Sequence, residues 1–167
     1  MRIAQNGDVH VSVPYGVPKM VVEAFIESHR EWMERAQQAT AARQQRRAGF
    51  FAQLPLQTKT QRADAIRRLS AIVEPMVEQY AAAIGVSPTR IHYKRMISRW
   101  GVCNVREKSI CFSLYLLLLP QLCIEHTVVH ELCHLIEPRH NARFHALVDR
   151  HFPRRKEAEK LSREIYR

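Results

Sequence analysis

Long apolar runs are missing from this chain of 167 residues. The longest, at 114–119, falls far short of the ~20 residues that a bilayer-crossing helix needs, so no membrane partner is expected. The N-terminus, Met-Arg-Ile-Ala-Gln-Asn-Gly-Asp, has no apolar stretch of the secretory-signal kind, which points to a cytoplasmic protein. Cysteines are few, and Cys103, Cys111, Cys123 and Cys133 include no Cys-x-x-Cys pair, which argues against a zinc knuckle or a thioredoxin-type site. Free thiols in a reducing compartment are expected. Cys103 and Cys111 lie symmetrically about Glu107, so a hairpin centred there would set them opposite each other.

Acidic residues are also scarce, 16 against 26 Lys and Arg, for a net charge of +10. Such a chain attracts polyanions, nucleotides and nucleic acid among them. The charge is scattered, however, in small clusters at 43–47, 94–99 and 154–156, and no nucleic-acid-binding motif or phosphate-cradling glycine loop accompanies it.

Hydrophobic periodicity gives the order of elements. Val9, Val11 and Val13 alternate with polar residues, which predicts a half-buried strand over 8–14. Val21, Val22, Phe25, Ile26, Trp32 and Met33 share one helical stripe, which fades over 36–47 into a solvated helix end or a linker. Residues 58–84 read as helix, with Pro75 expected to kink or split it and Gly85 as its C-cap. Ile91, Tyr93 and Ile97 suggest a strand running into Arg99-Trp100-Gly101, followed by a second at 109–114 to make a hairpin. A helix follows at 124–137, stopped by Pro138, with further helices at 141–151 and 154–166. A hairpin and helices in series indicate an α+β fold, with a small antiparallel or mixed sheet packed against helices. The chain reads as a single domain over 1–167, with an N-terminal strand and helix in 1–50 and a metal-binding core in 55–167.

The chemistry concentrates in His130-Glu131-Leu132-Cys133-His134. Histidines four residues apart on a helix share one face, so both imidazoles can reach one zinc ion. Glu131, beside the first ligand, is placed to act as general base toward a zinc-activated water, the His-Glu-x-x-His logic of metallohydrolases. Val128, Val129, Leu132 and Leu135 would pack this helix into the core, and histidines within such a helix need partners. A catalytic zinc wants a third protein ligand and one open position. His140, six residues past His134 and beyond the break at Pro138, can turn back toward the metal; His145, Glu157, Glu159 and Glu164 are the rivals. The offset equals that of metzincins, but Glu137 stands where they have Gly and no Met follows Met96, which excludes an ordinary metzincin.

These residues resemble the YgjP-like metal-dependent hydrolases, zincin-type proteins related to SprT-like metallopeptidases. The resemblance is carried by the Val-x-Val-x-Val-Pro strand, Glu31-Trp32, Ile97-Ser-Arg-Trp-Gly-Val-Cys103, 110–120, Val128-Val-His-Glu-Leu-Cys-His-Leu135, His140, Phe144 and Pro153. It implies a zincin-like fold, zinc held by His130, His134 and His140, Glu131 as general base, and Arg99, Trp100 and Gly101 near the site as substrate-binding candidates. Val102, Ser113, Arg139, Asn141 and His145 depart from the family pattern, and His145, in place of an aromatic residue, could hydrogen-bond a ligand or substrate. A peptide or protein substrate is therefore expected. Hydrolysis of a nucleotide phosphoanhydride and a basic nucleic-acid-associated protein with a structural zinc are the alternatives, and an adjacent Glu131 argues against the last, since a structural site needs no base.

Overall fold

A computed structural model of the chain describes residues 1–4 and 6–166. These form two compact units, Met1–Phe50 and Phe51–Tyr166.

In the first unit, β1 (Arg2–Ile3) pairs antiparallel with β2 (Val9–His10), with Ile3 opposite Val9. The alternation over 8–14 thus yields only a two-residue strand: beyond His10 the chain leaves the strand and turns at Gly16, whose φ of 88° is open to glycine at no steric cost. Helices α1 (Lys19–Ser28) and α2 (Arg30–Ala52) meet at His29. The polar stretch over 36–47 is helical throughout, as expected of Ala, Gln and Arg, which are strong helix formers without an apolar stripe.

The second unit carries the core. Helix α3 (Lys59–Ile84) starts on a capping box, in which the Thr58 hydroxyl accepts from the Gln61 amide at 3.1 Å and the Gln61 side chain accepts from the Thr58 amide at 3.0 Å. It ends at Gly85 with φ of 80°. Of the kink or split expected at Pro75, the split does not occur: one backbone hydrogen bond is forgone, while Leu69, Val73, Val77 and Ala81 stay buried along one continuous face. Burial of that face outweighs the local break. Removing the cap is expected to register here: Thr58→Ala should lower stability by about 1 kcal/mol, seen as a reduced denaturant midpoint at unchanged slope.

The sheet runs β3 (Arg90–Lys94), β5 (Ser109–Ser113), β4 (Gly101–Asn104), with β3 parallel and β4 antiparallel to the central β5. The strand expected from Ile91 to Gly101 is therefore two strands, separated by a non-strand stretch over 95–100. In the β4–β5 hairpin Val102 faces Cys111 and Cys103 faces Ile110. The hairpin is real but centred half a residue from Glu107. Because side chains alternate along a strand, Cys103 and Cys111 point to opposite faces and do not oppose each other. All four cysteines are free thiols.

A 3-10 turn (Leu114–Leu118) leads to α4 (Gln121–Cys133), then α5 (Ala142–His151) and α6 (Arg155–Tyr166). The motif helix thus begins three residues before and ends four residues before the span expected from sequence, with His134 as its C-cap. Ile110, Phe112, Leu116, Val128 and Leu132 form part of the apolar interior, while Val129 and Cys133 on the other side of α4 pack with Phe144, Val148, Phe152 and Ala158. Helix α4 is thereby gripped on two sides, which fixes the direction of its remaining face. The architecture is α+β, as the sequence indicated.

Candidate metal centre

The remaining face of α4 bears His130 and ends at His134. After it the chain turns through 135–137, where the Ile136 and Glu137 amides both donate to the Cys133 carbonyl. Pro138 prevents the helix from resuming, and the loop carries His140 back over the helix end. The Asn141 side chain then caps α5, accepting from the Phe144 amide at 2.9 Å.

This path brings three imidazoles together. The Nε2 atoms of His130 and His134 are 3.2 Å apart, those of His134 and His140 3.2 Å, and those of His140 and His130 3.0 Å. Nitrogens at ~2.0–2.1 Å from one tetrahedral ion lie ~3.3 Å from each other, so the triangle has the size of a three-histidine metal site. Hydrogen bonding alone does not account for it, since three nitrogens around one point cannot each find a donor or acceptor in the other two. The His134 Nδ1 lies 3.1 Å from the Glu137 carbonyl, to which it must donate. That bond fixes the tautomer and leaves Nε2 with its lone pair toward the centre. Phe144, fully buried, is the common support: its ring stacks on His134 at 4.4 Å and meets His130 and His140 edge-on at 4.8 Å each. Burial also holds His130 down to about 3, helped by the neighbouring imidazoles, and lowers His134, which favours the neutral imidazole in both. The three residues therefore fit a divalent transition metal.

Glu131 is 6% exposed, and burial pushes its carboxyl up to about 8, with the Arg99 guanidinium pulling the other way. Its position depends on Gly101. A Cβ at that residue would lie 2.6 Å from Glu131 Cγ and Oε1 and 2.8 Å from Cδ. Gly101 is thus required for space, so that β4 can pass against the carboxylate. Arg99, Trp100 and Gly101 line, with His130 and Glu131, one cleft of about 430 Å³.

His145 does not line this cleft. It sits on α5 with its Nδ1 buried and without a hydrogen-bond partner among the described residues, its ring 5.6 Å from Phe144. Other residues line it that the sequence does not single out, His126, one turn before His130, and Arg163 on α6, together with Glu159, which the sequence offers only as a rival metal ligand. His126 was legible in principle from its four-residue spacing to His130, but nothing local signals that α6 closes the other wall.

The family model described as YgjP-like, metallopeptidase domain, matches residues 1–62 and 52–163. The chain belongs to the YgjP-like family. No curated protein matches it at a significant level. Among solved structures, the crystal structure of the metallopeptidase zymogen of Pyrococcus abyssi abylysin is similar at 22% identity and a TM-score of 0.48, over 53% of this chain and 89% of that one. The YgjP-like match spans nearly the whole chain, including the three histidines, Glu131 and the Arg99–Gly101 stretch.

The cap at Asn141 fixes where His140 leaves the loop. Asn141→Ala is expected to cost about 1 kcal/mol of stability by loss of the cap, and to weaken metal retention in a chelator titration.

Proposed function

We propose that this YgjP-like protein is a zinc-dependent metallopeptidase, with zinc held by His130, His134 and His140 and with Glu131 as general base. The observation that carries this reading is the convergence of three imidazole nitrogens within 3.2 Å of one another beside a buried carboxylate, at the end of a cleft. Three protein ligands leave one coordination position for solvent or substrate, which is the catalytic rather than the structural pattern. Imidazole donors favour zinc among the common cellular metals, with copper and nickel as the competitors in vitro.

A zinc ion held there supplies Lewis acidity, polarising the scissile carbonyl and acidifying water. The rest falls to side chains. Glu131 accepts a proton from the attacking water at a carboxylate oxygen as the water oxygen bonds to the carbonyl carbon. It then returns that proton to the amide nitrogen as the C–N bond breaks, releasing a carboxylic acid and an amine. Gly101 keeps the carboxylate at its station, Phe144 keeps the imidazole rings at theirs, and Arg99 and Trp100 form the wall against which a peptide would lie. A peptide is favoured over a nucleotide because the cleft has no glycine-rich cradle of backbone amides for phosphates. The test is cleavage of an unfolded protein such as reduced casein by zinc-loaded protein, followed by mass spectrometry. Fragments that appear with zinc and not after chelation would support the reading; an intact substrate under every zinc-loaded condition would refute it.

A further inference from the structure

Away from the three histidines, the cleft lies along α4 between the Arg99–Gly101 stretch and α6, and its charged groups are unevenly paired. Glu159 lies on its α6 wall, but this carboxylate is already committed: Arg155 Nη1 donates to its Oε1 at 2.9 Å, and the same oxygen is 4.0 Å from His126 Nε2. Arg155 is itself only 13% exposed and is clamped on its other side by Asp149, at 2.6 and 3.1 Å. Two other guanidiniums face the cleft without such partners. Arg163 is exposed and donates its Nε to the Glu159 main-chain carbonyl at 3.1 Å, which tethers the group and leaves its two amino groups without an ion pair among the described residues. Arg99 is exposed on the opposite wall, likewise without an ion pair within 4.0 Å among them.

Arg155 is shared by Asp149 and Glu159, so what distinguishes Arg99 and Arg163 is that their guanidinium groups line the cleft without a carboxylate within ion-pair distance among the described residues. A guanidinium tethered through Nε still offers a fork of N–H donors, the geometry that suits a carboxylate. We infer that Arg99 and Arg163, on the two walls of this cleft, form a specificity site for a substrate carboxylate next to the scissile bond. This rests on the metallopeptidase reading for what happens to the bound peptide, but not for the binding itself. The carboxylate could belong to an Asp or Glu side chain or to a chain end; the chemistry is shared and the test separates them.

The test uses full-length, zinc-loaded Glu131→Gln protein, so that peptides bind without turnover, and fluorescence anisotropy of labelled decapeptides. Three probes are compared: a C-terminally amidated peptide with one central Glu, its Gln counterpart, and the Gln peptide with a free C-terminus. We expect one of the two carboxylate-bearing peptides to bind at least fivefold more tightly than the amidated Gln peptide, naming the side chain or the chain end as the source. Adding Arg163→Gln should bring that ratio below twofold, and Arg163→Glu should turn preference toward a central Lys. Equal binding of all three peptides, or a preference that survives Arg163→Gln, would overturn the inference. Circular dichroism of each variant guards against loss of fold. Cleavage by the parent protein is measured separately on the same peptides. Preferential binding without cleavage would refute the peptidase reading and leave the specificity site standing, whereas cleavage without preference would do the reverse.

Discussion

The Glu131→Gln protein is expected to keep its metal and its fold and to lose about 10²–10⁴-fold of its hydrolytic rate, the range a positioned general base contributes. The amide has the shape of the carboxylate and meets Gly101 at the same distance, so packing in the buried site is preserved. What is lost is the oxygen that takes the proton of the attacking water. The loss should fall in kcat, with KM little changed, because the proposed mechanism uses Glu131 in the chemical step and the walls of the cleft for binding the peptide. Steady-state kinetics on a quenched peptide, with metal content measured on the same samples, gives the answer. Activity within a few-fold of the parent would remove Glu131 from the mechanism.

Gly101→Ala is expected to be nearly as damaging to activity, by a route that leaves every reacting group in the sequence. The new methyl would sit 2.6 Å from Glu131 Cγ and Oε1, closer than carbon and oxygen atoms tolerate. The strand cannot easily retreat, since Gly101 is paired with Phe112 on the central strand and Phe112 is fully buried. The carboxylate must therefore move. A displacement near 1 Å at a catalytic group costs about 10²-fold in rate, and the overpacking itself about 1–3 kcal/mol of stability. Zinc binding should survive, because the three imidazoles are held by α4, the 135–140 loop and Phe144 and not by β4. An alanine variant with parent-like kcat would mean that Glu131 has room to shift without consequence, and the proposed role of Gly101 would fall.

These two residues also mark the boundary of what sequence alone could give. The His130-Glu131-x-x-His134 spacing fixes its own geometry through the helical period, and His140 follows from the single turn that Pro138 enforces, so the histidine triangle was legible locally. Arg99, Trp100 and Gly101 were flagged as near the site through family resemblance, but the reason Gly101 must be glycine depends on β4 lying against α4. That is a contact between segments thirty residues apart, and it leaves no local pattern. The same holds for α6: its helix was foreseeable from its periodicity, yet nothing in 155–166 says that Glu159 and Arg163 face the cleft.

Errors in the strand reading have a common cause. Apolar alternation predicts that a segment is extended but not where pairing stops, so 91–101 read as one strand although the chain leaves the sheet at Arg95 and returns at Gly101. Likewise, symmetry about Glu107 located the hairpin but missed its register by half a residue, enough to put Cys103 and Cys111 on opposite faces. Pro75 does not split α3 because one forgone hydrogen bond is weak against the continuous buried stripe from Leu69 to Ala81.

The central claim is that His130, His134 and His140 hold one metal ion. Elemental mass spectrometry of untagged protein, alongside its His134→Ala and His140→Ala variants, addresses it directly. The account predicts about one zinc per chain in the parent and its loss in both variants, with circular dichroism showing that they remain folded. A parent without metal after zinc is added back, or zinc retained by folded His140→Ala protein at parent affinity, would contradict it.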